Sequence, residues 1–158
     1  LLDMLSLKFD RIVTRDYLSK PEWYENNTLI IEFSRGTPDG GYRRAYDLLS
    51  QEIWNRAAIV YISVSYEESI RRNEARYRAT LAHSILAHKL PDESQERFSK
   101  EQDFHDLTRN QESGYLDVKG VAVPFVVIGN EPELTDPGAL ADRYGPAMRK
   151  LAELQLRR

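Results

Sequence analysis

Three short apolar runs, set apart by helix-length stretches, constrain what this chain can fold into. They are Thr28-Leu-Ile-Ile-Glu-Phe-Ser-Arg-Gly36, Ala57-Ala-Ile-Val-Tyr-Ile-Ser-Val64 and Pro124-Phe-Val-Val-Ile-Gly129. Residues 29–31, 58–62 and 125–128 are almost continuously apolar, as expected of strands covered on both faces. Helical spacers between such strands argue for parallel pairing through right-handed crossovers. The expectation is an α/β fold in which 28–33, 57–64 and 124–129 lie in one mainly parallel sheet with helices on both faces. The first run ends in a carboxylate, a hydroxyl, an arginine and a glycine. A buried parallel strand delivers polar groups in this way to a site at its carboxyl end.

The spacers read as follows. Leu1 to Leu18 carries Leu1, Leu2, Leu5, Phe9, Ile12 and Val13 at roughly helical spacing. Thr37-Pro-Asp-Gly-Gly41 is a turn signal, followed by a helix with Tyr42, Ala45, Tyr46, Leu49 and Ile53 on one face. Ser65-Tyr-Glu-Glu68 has the form of a capping box and opens a helix to about His83, with Ile70, Tyr77 and Leu81 inward. Residues 84–107 are charged, interleave Leu90, Phe98, Phe104 and Leu107, and read as a lid-like flap. Tyr115–Val118 and Val121–Val123 flank Lys119-Gly120, which suggests a small hairpin. Asp136-Pro137 is an N-cap and first-turn pair for a last helix that buries Leu140, Tyr144, Met148, Leu151 and one of Leu154 and Leu156.

At 158 residues the natural count is one domain, spanning 1–158. A net charge of −3 gives no sign of a nucleic-acid or anionic-membrane partner. The absence of cysteine removes disulfides, thiol chemistry and Cys-based zinc sites, and fits a cytoplasmic protein. No apolar stretch approaches the ~20 residues of a membrane span. Composition leaves the oligomeric state open.

Glu32, at the end of its apolar run, is suited to hold Mg²⁺ through water or to accept a proton from a substrate hydroxyl. Arg35, three residues on, is suited to clamp a phosphate; the alternative is a strand-end ion pair that stabilises the loop. On the helix after Ser65, Arg72 and Arg76 share a face, while Arg71 and Arg78 project elsewhere. Such cations stabilise a moving phosphoryl group, although Glu68 and Arg72 are also spaced for an ordinary surface pair. His83 and His88 are five apart, not four, and no carboxylate completes a metal-binding pattern.

Taken in order, these elements resemble the nucleoside and nucleotide kinase group of P-loop proteins, such as thymidylate and deoxynucleoside kinases, over roughly residues 28–155. The most specific stretch is 61–76, YISVSYEESIRRNEAR. The resemblance implies a three-layer P-loop NTPase-like sheet, incomplete at its N-terminus. It implies Glu32 as base or Mg²⁺-shell carboxylate, Arg35 as acceptor-side clamp, and Arg72, Arg76 and Arg78 as lid cations. Asn130 and Pro132, in the loop after the last strand, would lie beside the adenine of ATP. The implied reaction is transfer of the ATP γ-phosphoryl group, with Mg²⁺, to a small molecule or nucleotide. The sequence holds no Gly-x-x-x-x-Gly-Lys-[Ser/Thr] loop, and the chain starts at Leu1. A fragment whose parent carries that loop is therefore expected. The competing expectation is a non-catalytic α/β scaffold or protein-interaction module.

Overall fold

The structure, a computed structural model, describes residues 1–81, 93, 96 and 100–158. Its helices are α1 (Leu2–Ile12), α2 (Gly41–Leu48), α3 (Gln51–Trp54), α4 (Tyr66–Leu81), α5 (Phe104–Leu107) and α6 (Pro137–Arg157), and its strands are β1 (Ile59–Ser63), β2 (Ser113–Val118) and β3 (Val121–Gly129). A π-helical stretch, Val13–Leu18, continues α1, and short 3₁₀ turns occupy Pro21–Glu25 and Thr37–Asp39.

The sheet order is β1-β3-β2. β1 pairs with β3 in parallel, Ile59 opposite Phe125 and Ser63 opposite Gly129. β2 pairs with β3 antiparallel, Val118 opposite Val121. The turn between them is the expected one: Lys119 at φ 55° and Gly120 at φ 79° are both left-handed, the geometry that matches strand twist in a two-residue hairpin. Lys119 Nζ donates to the Leu49 carbonyl at 2.7 Å, so the turn also closes the end of α2.

This architecture corrects the expected multistranded, mainly parallel three-layer sheet. Only β1 and β3 are parallel, β2 is antiparallel, and the run at 28–33 is not a strand. The physical reason is local. Leu29, Ile31 and Phe33 pack on the core while Ile30, Glu32 and Ser34 face out, so the segment is extended and packed on one side. A strand also needs a neighbouring ladder. Among the described residues, none forms a backbone–backbone hydrogen bond with Thr28–Phe33. The apolar run therefore meets its burial demand through side chains alone.

The core lies on one face of the sheet. Phe104, Phe125 and Val123 are fully buried there, with Tyr42, Tyr46, Trp54, Tyr61, Leu116 and Val118 around them. Tyr61 stacks flat on Phe104 at 4.1 Å, and Tyr42 meets Phe104 edge-on at 5.8 Å. The expected inward face of α2 and α3 is present: Tyr42, Ala45, Tyr46, Leu49 and Ile53 are all buried. α6 covers the opposite face of β3 and β2, where Val126 and Ile128 are buried with Leu151 and Leu154. Asp136 caps α6, its Oδ2 accepting from Ala139 N at 2.8 Å. Met148 faces solvent, which corrects its expected burial, and of Leu154 and Leu156 it is Leu154 that is buried. α1 and its π-helical continuation turn Ser6, Phe9 and Val13 inward and leave Leu5, with the preceding Leu1, exposed.

α2 starts at a crowded corner. Asp103 accepts from the Tyr42 and Arg43 backbone N–H groups at 2.7 and 3.1 Å and caps the helix from sixty residues away. Gly41, at φ 66°, lies under that carboxylate, and a Cβ there would collide with it. α4 ends at Leu81 in the described chain, and most of the lid-like stretch 84–107 lies outside the described residues.

Candidate functional site

Glu32 and Arg35 do not meet. Alternate residues of an extended segment face opposite sides, so a spacing of three sends one out and one in. Glu32 is exposed, whereas Arg35 is 4% exposed. The Arg35 guanidinium donates to the Asp39 carbonyl at 2.8 Å and to Ser6 Oγ at 3.5 Å, and it pairs with the Asp3 carboxylate. Asp3 also accepts from Arg44 at 3.2 Å. The Asp3 carboxyl is held below its ordinary range, first by Arg35 and further by Arg44. Arg35 thus fastens α1 to the turn at 37–40.

A second polar cluster gathers at the carboxyl ends of β1 and β3. Arg72 is 8% exposed; its Nε donates to Glu68 Oε1 at 2.7 Å, and its guanidinium reaches the Asn130 carbonyl. Arg71 pairs with Glu68 at 2.5 Å and approaches Glu133 at 3.6 Å. The hydrogen bonds from Arg71, then Arg72, hold the Glu68 carboxyl down to about 2. Arg143 of α6 donates to the Pro132 carbonyl at 2.6 Å and to Asn130 Oδ1 at 3.4 Å. The Glu131 side chain accepts from the Ser65 N–H, and the Glu131–Pro132 peptide is cis. The capping box is therefore half present: Ser65 Oγ accepts from Glu68 N at 3.3 Å, while Glu68 turns to the arginines.

Of the residues singled out by sequence, this cluster unites Arg72, Asn130 and Pro132. Arg76 is exposed and donates to the Arg72 carbonyl at 3.4 Å, and Arg78 pairs with Glu74 at 2.8 Å on the outer face of α4. Glu32 and Arg35 belong elsewhere. Arg143, Glu131 and Asp103 were missed. Arg143 has a signal in hindsight, a cation on the last helix two turns from its cap. The partners of Asp103 lie too far along the chain for any local pattern.

Chemically, the carboxyl-end cluster is a clamp. Its cations are occupied by carboxylates and carbonyls of the same chain, and together they tie the first turns of α4 to the 129–133 loop and α6. Among the described residues, no group of three His, Asp or Glu side chains is placed to hold a metal ion. A surface depression of 430 Å³ is lined by Leu18, Glu52, Asn55 and Arg56. No helix among the described residues is long and apolar enough to cross a membrane.

The other notable surface is the side of β1 away from β3, which is free of a paired strand among the described residues. Its residues Val60 and Ile62 are 39% and 49% exposed, and Ile30, on the extended 28–33 segment, is 83% exposed. Protein-family models, curated proteins and solved structures were all compared with this chain, and none matches it.

Proposed function

We propose that this chain is a protein-interaction module built on a small α/β scaffold, working in the cytoplasm through the free side of β1. The supporting observation is the exposure of Val60 and Ile62 on β1, an edge strand among the described residues, in a sheet whose central strand is covered on both faces. Apolar side chains at an unblunted edge mark a surface that another polypeptide covers. β1 reads Ile-Val-Tyr-Ile-Ser, with no charge or proline to discourage pairing.

A second reading keeps phosphotransfer from ATP, with Mg²⁺, to a small molecule or nucleotide. One observation favours it: Arg71, Arg72, Arg143 and Asn130 gather at the carboxyl ends of two parallel strands, where open α/β sheets bind ligands. The buried Arg72 and its internal partners weigh against it, because a phosphate would have to displace Glu68.

Isothermal titration with Mg-ATP separates the two. The interaction reading expects no saturable heat. Saturable uptake in the micromolar range, lost in Arg72→Ala and retained in Val60→Lys, overturns it in favour of the phosphotransfer reading.

A further inference from the structure

We propose that the surface depression beside α3 binds a free α-amino acid with an apolar side chain, its ammonium on Glu52 and its carboxylate on Arg56. The site shares no residue with the β1 surface, and the interaction reading stands or falls without it.

The spacing of the two charges comes first. Glu52 and Arg56 are four apart, with the carboxylate nearer the N-terminus, the arrangement that ordinarily closes an ion pair along a helix. The same spacing does close elsewhere in this chain: Glu68 with Arg72 at 2.7 Å, Glu74 with Arg78 at 2.8 Å and Glu96 with Lys100 at 2.5 Å. Glu52 and Arg56 stay open. Among the described residues, no hydrogen bond or ion pair engages the Glu52 carboxylate or the Asn55 side-chain amide.

The backbone keeps them apart. α3 ends at Trp54, and the Arg56 N–H donates to the Ile53 carbonyl at 3.0 Å, three residues back. A 3₁₀-type turn winds more tightly than an α-helix and rotates Arg56 off the face that carries Glu52. The guanidinium leans instead over Tyr24, its Cζ 5.7 Å from the ring centre. That cation–π contact positions the cation without consuming its N–H donors. Tyr24 is braced edge-on by Trp23 at 5.0 Å, and Trp23 by Tyr17 at 5.4 Å. The turn is anchored from below, since Trp54 is buried and Arg158 donates to the Trp54 and Ala57 carbonyls. Across the gap, the 13–18 stretch packs on α3 and brings Leu18 to the rim.

The lining selects the ligand. Glu52, Asn55 and Arg56 are exposed and Leu18 half-buried around 430 Å³ of space, within the ~300–1,000 Å³ of small-molecule sites. A simple anion suits Arg56 but meets Glu52, and a simple cation suits Glu52 but meets Arg56. A zwitterion satisfies both, and an α-amino acid carries its ammonium and carboxylate on one carbon. The Asn55 amide, between them in sequence, can donate to the carboxylate or accept from the ammonium. Leu18 offers the apolar contact for the side chain.

The test is a titration of the isotope-labelled full chain with L-leucine, followed by NMR. Saturable shifts at the Asn55 side-chain amide and the Arg56 Nε–H are expected in the millimolar range. N-acetylleucine lacks the ammonium and leucinamide the carboxylate, and each should bind about tenfold more weakly, the loss of one charge-assisted contact. Glu52→Gln should erase the preference over N-acetylleucine, and Arg56→Gln the preference over leucinamide. Both positions are exposed, so an unchanged thermal midpoint shows that each variant folds. Equal binding of the blocked compounds overturns the proposal, as does saturable binding that shifts neither Asn55 nor Arg56. So does the lack of any saturable shift. An Arg56 Nε resonance that moves in ligand-free Glu52→Gln also overturns it, because the two charges would then already neutralise each other.

Discussion

β3 and the 28–33 segment are comparable apolar runs with different fates. β3 has a strand on each side and packing on both faces, so Val123, Phe125 and Val126 are at most 1% exposed. The 28–33 segment has packing on one face and no backbone partner among the described residues, and its Ile30 is 83% exposed. Composition makes both runs candidates for strands, and neighbours decide between them. An apolar run commits a segment to burial, whereas a strand also requires another strand's backbone at ~4.8 Å.

The largest expected break in that comparison is in the core. Phe125→Ala should cost about 3–5 kcal/mol, the usual loss for a fully buried aromatic. Phe33→Ala, on the one-sided segment, should cost about 1–2 kcal/mol. Urea unfolding followed by tryptophan fluorescence measures both. Equal losses would mean that the 28–33 segment is as integral to the core as β3.

Gly41→Ala comes next. The substitution puts a Cβ into the Asp103 carboxylate at a left-handed backbone position, so a loss of about 2 kcal/mol is expected. Asp103→Ala, which removes the cap without the strain, should lose about 1 kcal/mol. A glycine variant weaker in effect than the cap variant would place the strain elsewhere.

The aromatic seam between the two regions carries a pH signature. Burial pushes the Tyr61 hydroxyl up to about 12, against an ordinary 10.0, and raises Tyr42 and Tyr46 in the same direction. A folded state that holds the proton more tightly is stabilised below the unfolded value. That contribution is complete below pH ~10 and is lost as pH rises toward ~12. Absorbance at the tyrosinate band during alkaline titration should therefore rise together with loss of near-ultraviolet circular dichroism. In Tyr61→Phe the alkaline transition should move to higher pH.

The smallest effect is the sharpest. Glu32→Gln should leave stability within about 0.5 kcal/mol, as for other exposed substitutions. Arg35→Met should lower the thermal midpoint clearly, because it releases Asp3 and unfastens α1. Similar midpoints for the two variants would mean that the guanidinium is not the fastening.

Much of the fold was legible because it is written locally. The hairpin at Lys119-Gly120, the cap at Asp136, the start of α4 at Ser65 and the buried face of α2 all follow from patterns a few residues long. The parallel relation of 57–64 and 124–129 followed from a long helical spacer. Errors arose where structure depends on distant partners. The 28–33 run has the composition of a strand, and nothing within it records whether a neighbour is present. Glu32 and Arg35 read as a pair because a loop was assumed between them; extended backbone separates them by parity. At the carboxyl-end cluster, Arg72, Asn130 and Pro132 were found but their use was not, since Glu68 serves as capping-box residue on paper and as an arginine partner in the fold.

Both ends of α2 are finished by other parts of the chain, Asp103 at its start and the Lys119 ammonium at its close. At eight residues, the helix is too short to persist alone. Its persistence therefore depends on residues 103 and 119 being in place. Damage at either distant residue would surface as fraying near residue 45, so a map of lesions on this protein would not coincide with a map of their effects.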